Sequence, residues 1–197
     1  GQPFGERHSS EYKDFTELTL EGNLKVYIDR GDNFEFRTEG DHHHNIDVNQ
    51  NGSILNVQGP SYDDRPTKVY ITLPTLEKLT AHNVGDIWVR SFDQNLLTID
   101  MDGETEIHGQ GLQIRHLTAS LKDEAELTLK GSGTKMDITV IDDAKFDADR
   151  FKVDNATITG KQDAYIKLNV LDTLSGSIEE DVDLKLEGQP KVSLMEE

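Results

Sequence analysis

Asp86-Ile87-Trp88-Val89, Glu104-Thr105-Glu106-Ile107, Glu124-Ala125-Glu126-Leu127, Asp143-Ala144-Lys145-Phe146, Asp163-Ala164-Tyr165-Ile166 and Asp181-Val182-Asp183-Leu184 repeat one phrase: an acid, an apolar or small residue, any residue, an apolar residue. The acids recur roughly every 18 to 20 residues, a period typical of solenoids. Apolar positions two apart point to the same face of a strand, so each copy supplies one inward pair. A single copy cannot bury that pair, but stacked copies cover one another and build a continuous thin core. The residue before each acid is Gly85, Gly103, Asp123, Asp142, Gln162 or Glu180. These are turn-tolerant or polar types, which places the acid where the chain bends from one strand into the next.

Outward from this array, the segment from Phe15 to Leu73 also alternates: Leu18 and Leu20, then Leu24, Val26 and Ile28, Phe34 and Phe36, Ile46 and Val48, Leu55 and Val57, and Val69, Ile71 and Leu73. Turn signals separate these runs at Glu21-Gly22-Asn23, Gly31-Asp32-Asn33, Gly40-Asp41, Asn51-Gly52 and Gly59-Pro60. Asn51-Gly52 suits a hairpin. Either the solenoid already operates here, with two strands per coil, or an antiparallel meander packs on it. No window sustains helical spacing. The expected organisation is residues 1–14 as a segment following a removed leader, 15–75 as N-terminal β coils or meander, and 76–197 as the regular array. Val192-Ser193-Leu194 is expected to form a last, capping strand. Gly1-Gln2-Pro3-Phe4-Gly5 without an initiator Met reads as a mature form.

Composition narrows the function classes. A net charge of −18 argues against nucleic-acid backbones and anionic membrane surfaces, and favours cations or basic partners. The absence of cysteine excludes disulfides and thiolate metal sites. No apolar run is long enough to span a membrane as a helix, so direct membrane insertion is not expected. Hydrophobic content of 34% suits a thin solenoid, in which alternate residues face water.

Phe15-Thr-Glu-Leu-Thr-Leu, Gly22, Leu24-Lys-Val-Tyr-Ile, Gly31-Asp, Gly40-Asp, Gly52, Leu55-Asn-Val, then Val69-Tyr-Ile-Thr-Leu-Pro74 and Leu76-Glu-Lys-Leu79, followed by the repeated phrase, resemble the putative auto-transporter adhesin, head GIN-domain family. The resemblance covers Tyr12 to about Pro190. The family's Gly-Ser-Gly-Asp phrase survives here as Val84-Gly85-Asp86-Ile87, and Gly131-Ser132-Gly133 keeps its glycines without the acid. The resemblance implies a right-handed, single-stranded β-helix of the bacterial envelope, often from Bacteroidetes. It carries over no catalytic residues.

Three groups of side chains are candidates for chemistry. Asp86, Glu104, Glu124, Asp143, Asp163 and Asp181, one per coil at the same bend, would form a column with about 4.8 Å per rung. Such a column either holds a cation, with calcium as the cofactor that carboxylate and carbonyl oxygens would suit, or is a solvated edge screened by salt and by Lys122, Lys145 and Lys161. His42 and His44, on alternate positions of the run beside Asp41, have the spacing for a shared zinc- or copper-like ion; the plainer reading is a polar loop. His8, His82, His108 and His116 are scattered elsewhere. Trp88, Arg90 and Phe92, with Tyr62 from the Pro60–Pro66 loop, are the candidate contact residues for a sugar or protein, because alternation turns Trp88 outward if Ile87 and Val89 face the core. Trp88 covering the end of the core under that loop is the alternative.

The expected function is a non-catalytic, exported binding or adhesin-like scaffold, periplasmic, anchored at the outer membrane (as a lipoprotein if a Cys-terminated leader precedes this chain) or extracellular, whose partner is an envelope or host glycan or protein. Two alternatives stand beside it. A polysaccharide-active β-helix enzyme would need two carboxylates set across a sugar, and acids are plentiful at Asp63-Asp64, Asp142-Asp143 and Glu179-Glu180-Asp181. A structural protein would form a homo-oligomer through the solenoid end or flank.

Overall fold

Alternation of burial along each strand is the local cause of the architecture. In the strand Leu24–Arg30, Leu24, Val26 and Ile28 are buried, whereas Lys25, Tyr27 and Asp29 remain partly exposed. The structure, a computed structural model, describes residues 6–9, 12–39, 46–60 and 65–197. Among these residues there are strands and turns but no helix. The strands are β1 (Glu6–Ser9), β2 (Glu17–Glu21), β3 (Leu24–Arg30), β4 (Glu35–Glu39), β5 (Asp47–Asn51), β6 (Ile54–Gln58), β7 (Thr67–Leu73), β8 (Lys78–His82), β9 (Gly85–Arg90), β10 (Asp93–Asp102), β11 (Thr105–Leu121), β12 (Glu126–Val140), β13 (Lys145–Gly160), β14 (Tyr165–Ile178), β15 (Asp183–Glu187) and β16 (Lys191–Glu196).

From β8 onward, successive coils stack in parallel, as a β-solenoid requires. One register line runs Asp86, Glu106, Glu126, Lys145, Tyr165, Asp183, so the coils measure 20, 20, 19, 20 and 18 residues. The long strands turn corners without breaking the ladder: the first part of β11 pairs with β9 and its later part with β10. Side chains of one coil therefore rest on those of the next. Ile87, Ile107, Leu127, Phe146 and Ile166 form one buried column of the core. Among the described residues the buried polar side chains are Thr38, Thr67, Thr105 and Gln94. The Gln94 amide accepts a bond from the Leu76 amide nitrogen and donates to the Leu76 and Leu96 carbonyls, satisfying backbone groups of Leu76, which lies between β7 and β8.

The N-terminal part belongs to the same stack, but its coils are out of chain order. β2 lies between β6 and β8, and β3 lies between β7 and β9. The coil made of β6 and β7 thus sits outside the first coil of the chain, made of β2 and β3. Leu18 is matched to both Leu55 and Leu79, and Ile28 to both Ile71 and Val89, so the inward faces agree throughout. Gly22 is needed where these coils meet: it has φ +94°, and a Cβ there would lie 2.8 Å from the Gly59 carbonyl oxygen. The antiparallel pairing expected of a meander is confined to β1–β4–β7 and to the β5–β6 hairpin, which turns at Asn51-Gly52 as its sequence suggests.

The bends fall where the repeated phrase puts them. Gly103, Asp123, Asp142 and Gln162 have positive φ, and so do the acids Asp143 and Asp163. In the Asp142-Asp143 and Gln162-Asp163 turns both central residues are left-handed, and the turn is closed by Ala144 N to Ile141 O at 3.3 Å and Ala164 N to Lys161 O at 3.2 Å. Val192 to Leu194 form the last strand, as expected: β16 is a parallel rung on β14, with Val192 and Met195 exposed. Charged Asp183, Lys185, Glu187, Lys191 and Glu196 line β15 and β16, the usual protection of a strand edge.

Candidate functional site

Parallel register turns every outward position into a row along the solenoid axis, and two adjacent rows define the site. The first row reads Lys68, Lys25, Asp86, Glu106, Glu126, Lys145. The second, two residues along each strand, reads Arg37, Tyr70, Tyr27, Trp88, His108, Thr128. The strands fix both rows, so neither depends on loop conformation.

The second row is a stacked ladder. Tyr70 and Tyr27 lie 5.0 Å apart between ring centroids at 12°, Tyr27 and Trp88 4.9 Å at 10°, and Trp88 and His108 5.3 Å at 21°. The spacing is close to that of the rungs themselves. Arg37 closes one end, its guanidinium 3.8 Å from the Tyr70 centroid. Stacking uses the flat faces of the rings and leaves their edges to solvent. Trp88 therefore faces outward, as alternation requires, yet its π-face is already occupied, which removes the usual geometry for stacking on a sugar ring.

The other expected contact residues part company here. Arg90 forms a two-pronged bond to Asp29, Nε to Oδ1 at 2.7 Å and Nη2 to Oδ2 at 2.9 Å, and that carboxylate raises the guanidinium's already high pKa. Phe92 cannot be a contact residue, because it is fully buried. It follows the positive-φ residue Ser91, and that corner breaks the strict alternation that would have put Phe92 beside Trp88 and Arg90 on the outer face. Tyr62, His42 and His44 lie outside the described residues.

The acids form two rows instead of one column. Glu104, Glu124, Asp143, Asp163 and Asp181 occupy equivalent bends, each two residues before a position of the register line Glu106, Glu126, Lys145, Tyr165, Asp183. Asp86 does not join them: its register partner is Glu106. The phrase beginning at Asp86 is displaced by two residues from the others, which keeps the inward and outward faces unchanged and so hides the slip in the sequence. Together the rows line an open groove of about 530 Å³ bordered by Asp86, Glu104, Glu106, Glu124, Glu126 and Asp143. Lys145 is its one basic lining residue, and Lys145 Nζ lies 3.7 Å from Glu126 Oε1. Partial burial, the bond shared with Asp86 and the charge of Glu126 raise the pKa of Glu106 above the ordinary glutamate value. Further along the second row, next to Thr128, burial raises Asp147, whereas the bond from Asp147 and the Lys167 ammonium, 3.4 Å away, lower Asp149.

Each described histidine side chain faces a carboxylate. His82 Nδ1 is 2.9 Å from Asp102 and His116 Nε2 is 2.7 Å from Asp137, both ordinary hydrogen bonds. His108 Nε2 is 3.8 Å from Asp86 Oδ1 and 3.7 Å from Glu106 Oε2. Among the described residues, Asp86, Glu106 and His108 are the set that brings three potential metal-ligand atoms within 4.8 Å of one another; the acids at the bends do not converge in that way. Glu106, Glu126 and His108 escaped the sequence reading as site residues. The signal that finds them is the coil length counted from Ile87 to Ile107, which sets His108 on Trp88.

The family model for the putative auto-transporter adhesin, head GIN domain, matches residues 14–190. A putative adhesin from Bacteroides fragilis has a similar structure, with a TM-score of 0.78, 16% sequence identity and 96% of each chain covered. A putative lipid binding protein from Parabacteroides distasonis follows with a TM-score of 0.65, 16% identity and coverage of 97% of this chain and 93% of that one. A putative adhesin from Parabacteroides distasonis gives 0.63, 13% identity and coverage of 98% and 93%. At these identities the likeness concerns the fold. Comparison with curated proteins gives no match.

Proposed function

The chain belongs to the head GIN-domain family of putative auto-transporter adhesins, and from that membership we propose that it is a non-catalytic binding module, exported to the cell envelope or surface, whose acidic groove receives a cationic segment of a protein partner. The observation that carries this reading is the imbalance of the groove. Six carboxylates, Asp86, Glu104, Glu106, Glu124, Glu126 and Asp143, face one lysine, and that lysine is engaged with Glu126. A lysine- or arginine-rich segment laid along the rungs would relieve repulsion that the fold leaves standing, and charge attraction would speed its arrival. The edges of Trp88 and Tyr27 beside the groove supply rigid contact area at small entropic cost.

A neutral glycan is a poorer fit, because the ladder offers edges in place of open ring faces. An acyl chain is a poorer fit for the same groove, since carboxylates line it. The first test is calorimetric titration of the protein with decalysine, decaglutamate and neutral oligosaccharides. The reading expects decalysine to bind and to weaken steeply between about 0.05 M and about 0.5 M salt, as the screening length falls to a few ångströms. Tight, salt-insensitive binding of an oligosaccharide would replace this reading with a lectin-like one, and release of reducing ends would replace it with an enzyme.

A further inference from the structure

We infer that Asp86, Glu106 and His108 form a site for a zinc-class divalent transition ion, with an open coordination position facing the groove. These residues carry the proposal by their own geometry, independently of the cationic-partner reading.

The first argument is distance. His82 and His116 each sit within hydrogen-bond range of a single carboxylate, at 2.9 Å and 2.7 Å. His108 Nε2 is equidistant from two, at 3.8 Å and 3.7 Å, beyond hydrogen-bond reach of either. Ligand atoms bound to one tetrahedral zinc at about 2.1 Å stand roughly 3.4 Å apart. The two histidine distances need contract by only a few tenths of an ångström, and with all three ligand atoms already within 4.8 Å of one another, rotation of half-exposed side chains would gather them around an ion without moving a strand.

The second argument is charge and support. No lysine or arginine among the described residues pairs with Asp86 or Glu106: Lys145 serves Glu126, and Lys25, the register neighbour of Asp86, lies with its ammonium 5.9 Å from the Trp88 ring centroid. Two carboxylates with a neutral imidazole would cancel the charge of a divalent ion. The imidazole plane is held by its stack on Trp88, which limits the orientations open to Nε2. One nitrogen and two carboxylate oxygens suit zinc better than calcium, which takes six to eight oxygens. The site comes from strands β9 and β11, with two ligands at alternate positions of β11, so the backbone ladder pre-forms it.

The experiment is isothermal titration of the tag-free, full chain with Zn²⁺, and with Co²⁺ as a visible-absorption probe, at constant pH. Three variants are measured alongside: His108→Asn, Asp86→Asn, and His42→Asn with His44→Asn, the last because that polyhistidine run can itself take up zinc. The wild type is expected to bind one equivalent and to give a cobalt d–d band. His108→Asn and Asp86→Asn should each weaken binding by at least about tenfold, while the His42/His44 variant keeps the same cobalt band. Melting curves without metal check that each variant is folded, and two ligand variants on different strands guard against one failing to fold. The proposal is overturned if the wild type shows no cobalt band, or if the band follows His42 and His44 and survives both ligand substitutions.

Discussion

Tyr27 and Trp88 lie ring on ring, 4.9 Å between centroids and 10° from parallel, although they belong to coils that are not consecutive in the chain. The contact exists because β3 is slotted between β7 and β9, so it reports on the coil order as well as on the ladder. Replacing each by Ala, singly and together, should give a coupling free energy of about 0.5–1.5 kcal/mol in urea unfolding. A coupling near zero would mean that the two rings do not share a face in solution.

Phe92 is a core residue, and its substitution should behave as one. Phe92→Ala is expected to cost about 3–5 kcal/mol of unfolding free energy, the usual range for a large side chain lost from a packed interior. Its effect on decalysine affinity, measured under conditions where the variant is folded, should be negligible. A loss of affinity at unchanged stability would put Phe92 on the surface.

The bends store conformational strain that can be removed. Asp142 and Asp143 have φ +56° and +65°, where a residue with a Cβ is disfavoured, and the pair occupies the centre of a closed turn. Asp142→Asn with Asp143→Gly installs the preferred turn sequence and should stabilise the fold by about 1 kcal/mol. Gly103→Ala should do the reverse, because φ is +68° and the new Cβ would collide with the Asn83 amide. Chemical denaturation of the two variants, expected to shift in opposite directions, checks both.

Glu106 should lend the stability curve a definite sign. Its pKa is raised in the folded state by burial, then by Asp86 and Glu126, so the folded protein holds the proton over a range of pH in which the unfolded chain has already lost it. Stability from this group therefore falls as pH rises from the unfolded value, about 4.3, through the folded one. In metal-free buffer Glu106→Gln should melt higher than the wild type near neutrality, and the two should converge at about pH 4 and below. Asp149, lowered by Asp147 and Lys167, contributes in the opposite sense, with stability lost on acidification, and Glu106→Gln leaves that part intact.

How much of this was legible in the sequence follows from what alternation can and cannot encode. Inward residues such as Ile107, Leu127 and Ile166 announce themselves by period and apolarity, so the coil length and the solenoid were readable. The bends were readable because Gly103, Asp123, Asp142 and Gln162 are residues that tolerate positive φ. The register of Asp86 was not, since a slip of two preserves both faces, and only pairing with β11 distinguishes Glu106 from Glu104. The place of β6 and β7 outside β2 and β3 was also hidden: Leu18 fits against Leu55 or Leu79 equally well, so apolar pattern carries no order. The aromatic ladder depends on that order, and so it escaped with it.

If the groove's charge selects its partner, as proposed, inverting that charge should invert the preference. Glu104→Lys, Glu124→Lys and Asp143→Lys together leave the core, the ladder and the Asp86, Glu106 and His108 set untouched; Asp163→Lys, Glu180→Lys and Asp181→Lys make the same change in net charge at bends outside the groove lining. Affinities for decalysine and decaglutamate are measured for both variants. The account expects the groove variant to lose decalysine and gain decaglutamate, while the other variant still prefers decalysine. Equal loss of decalysine in both variants would show that net charge alone, and not this groove, governs binding, and would contradict the claim.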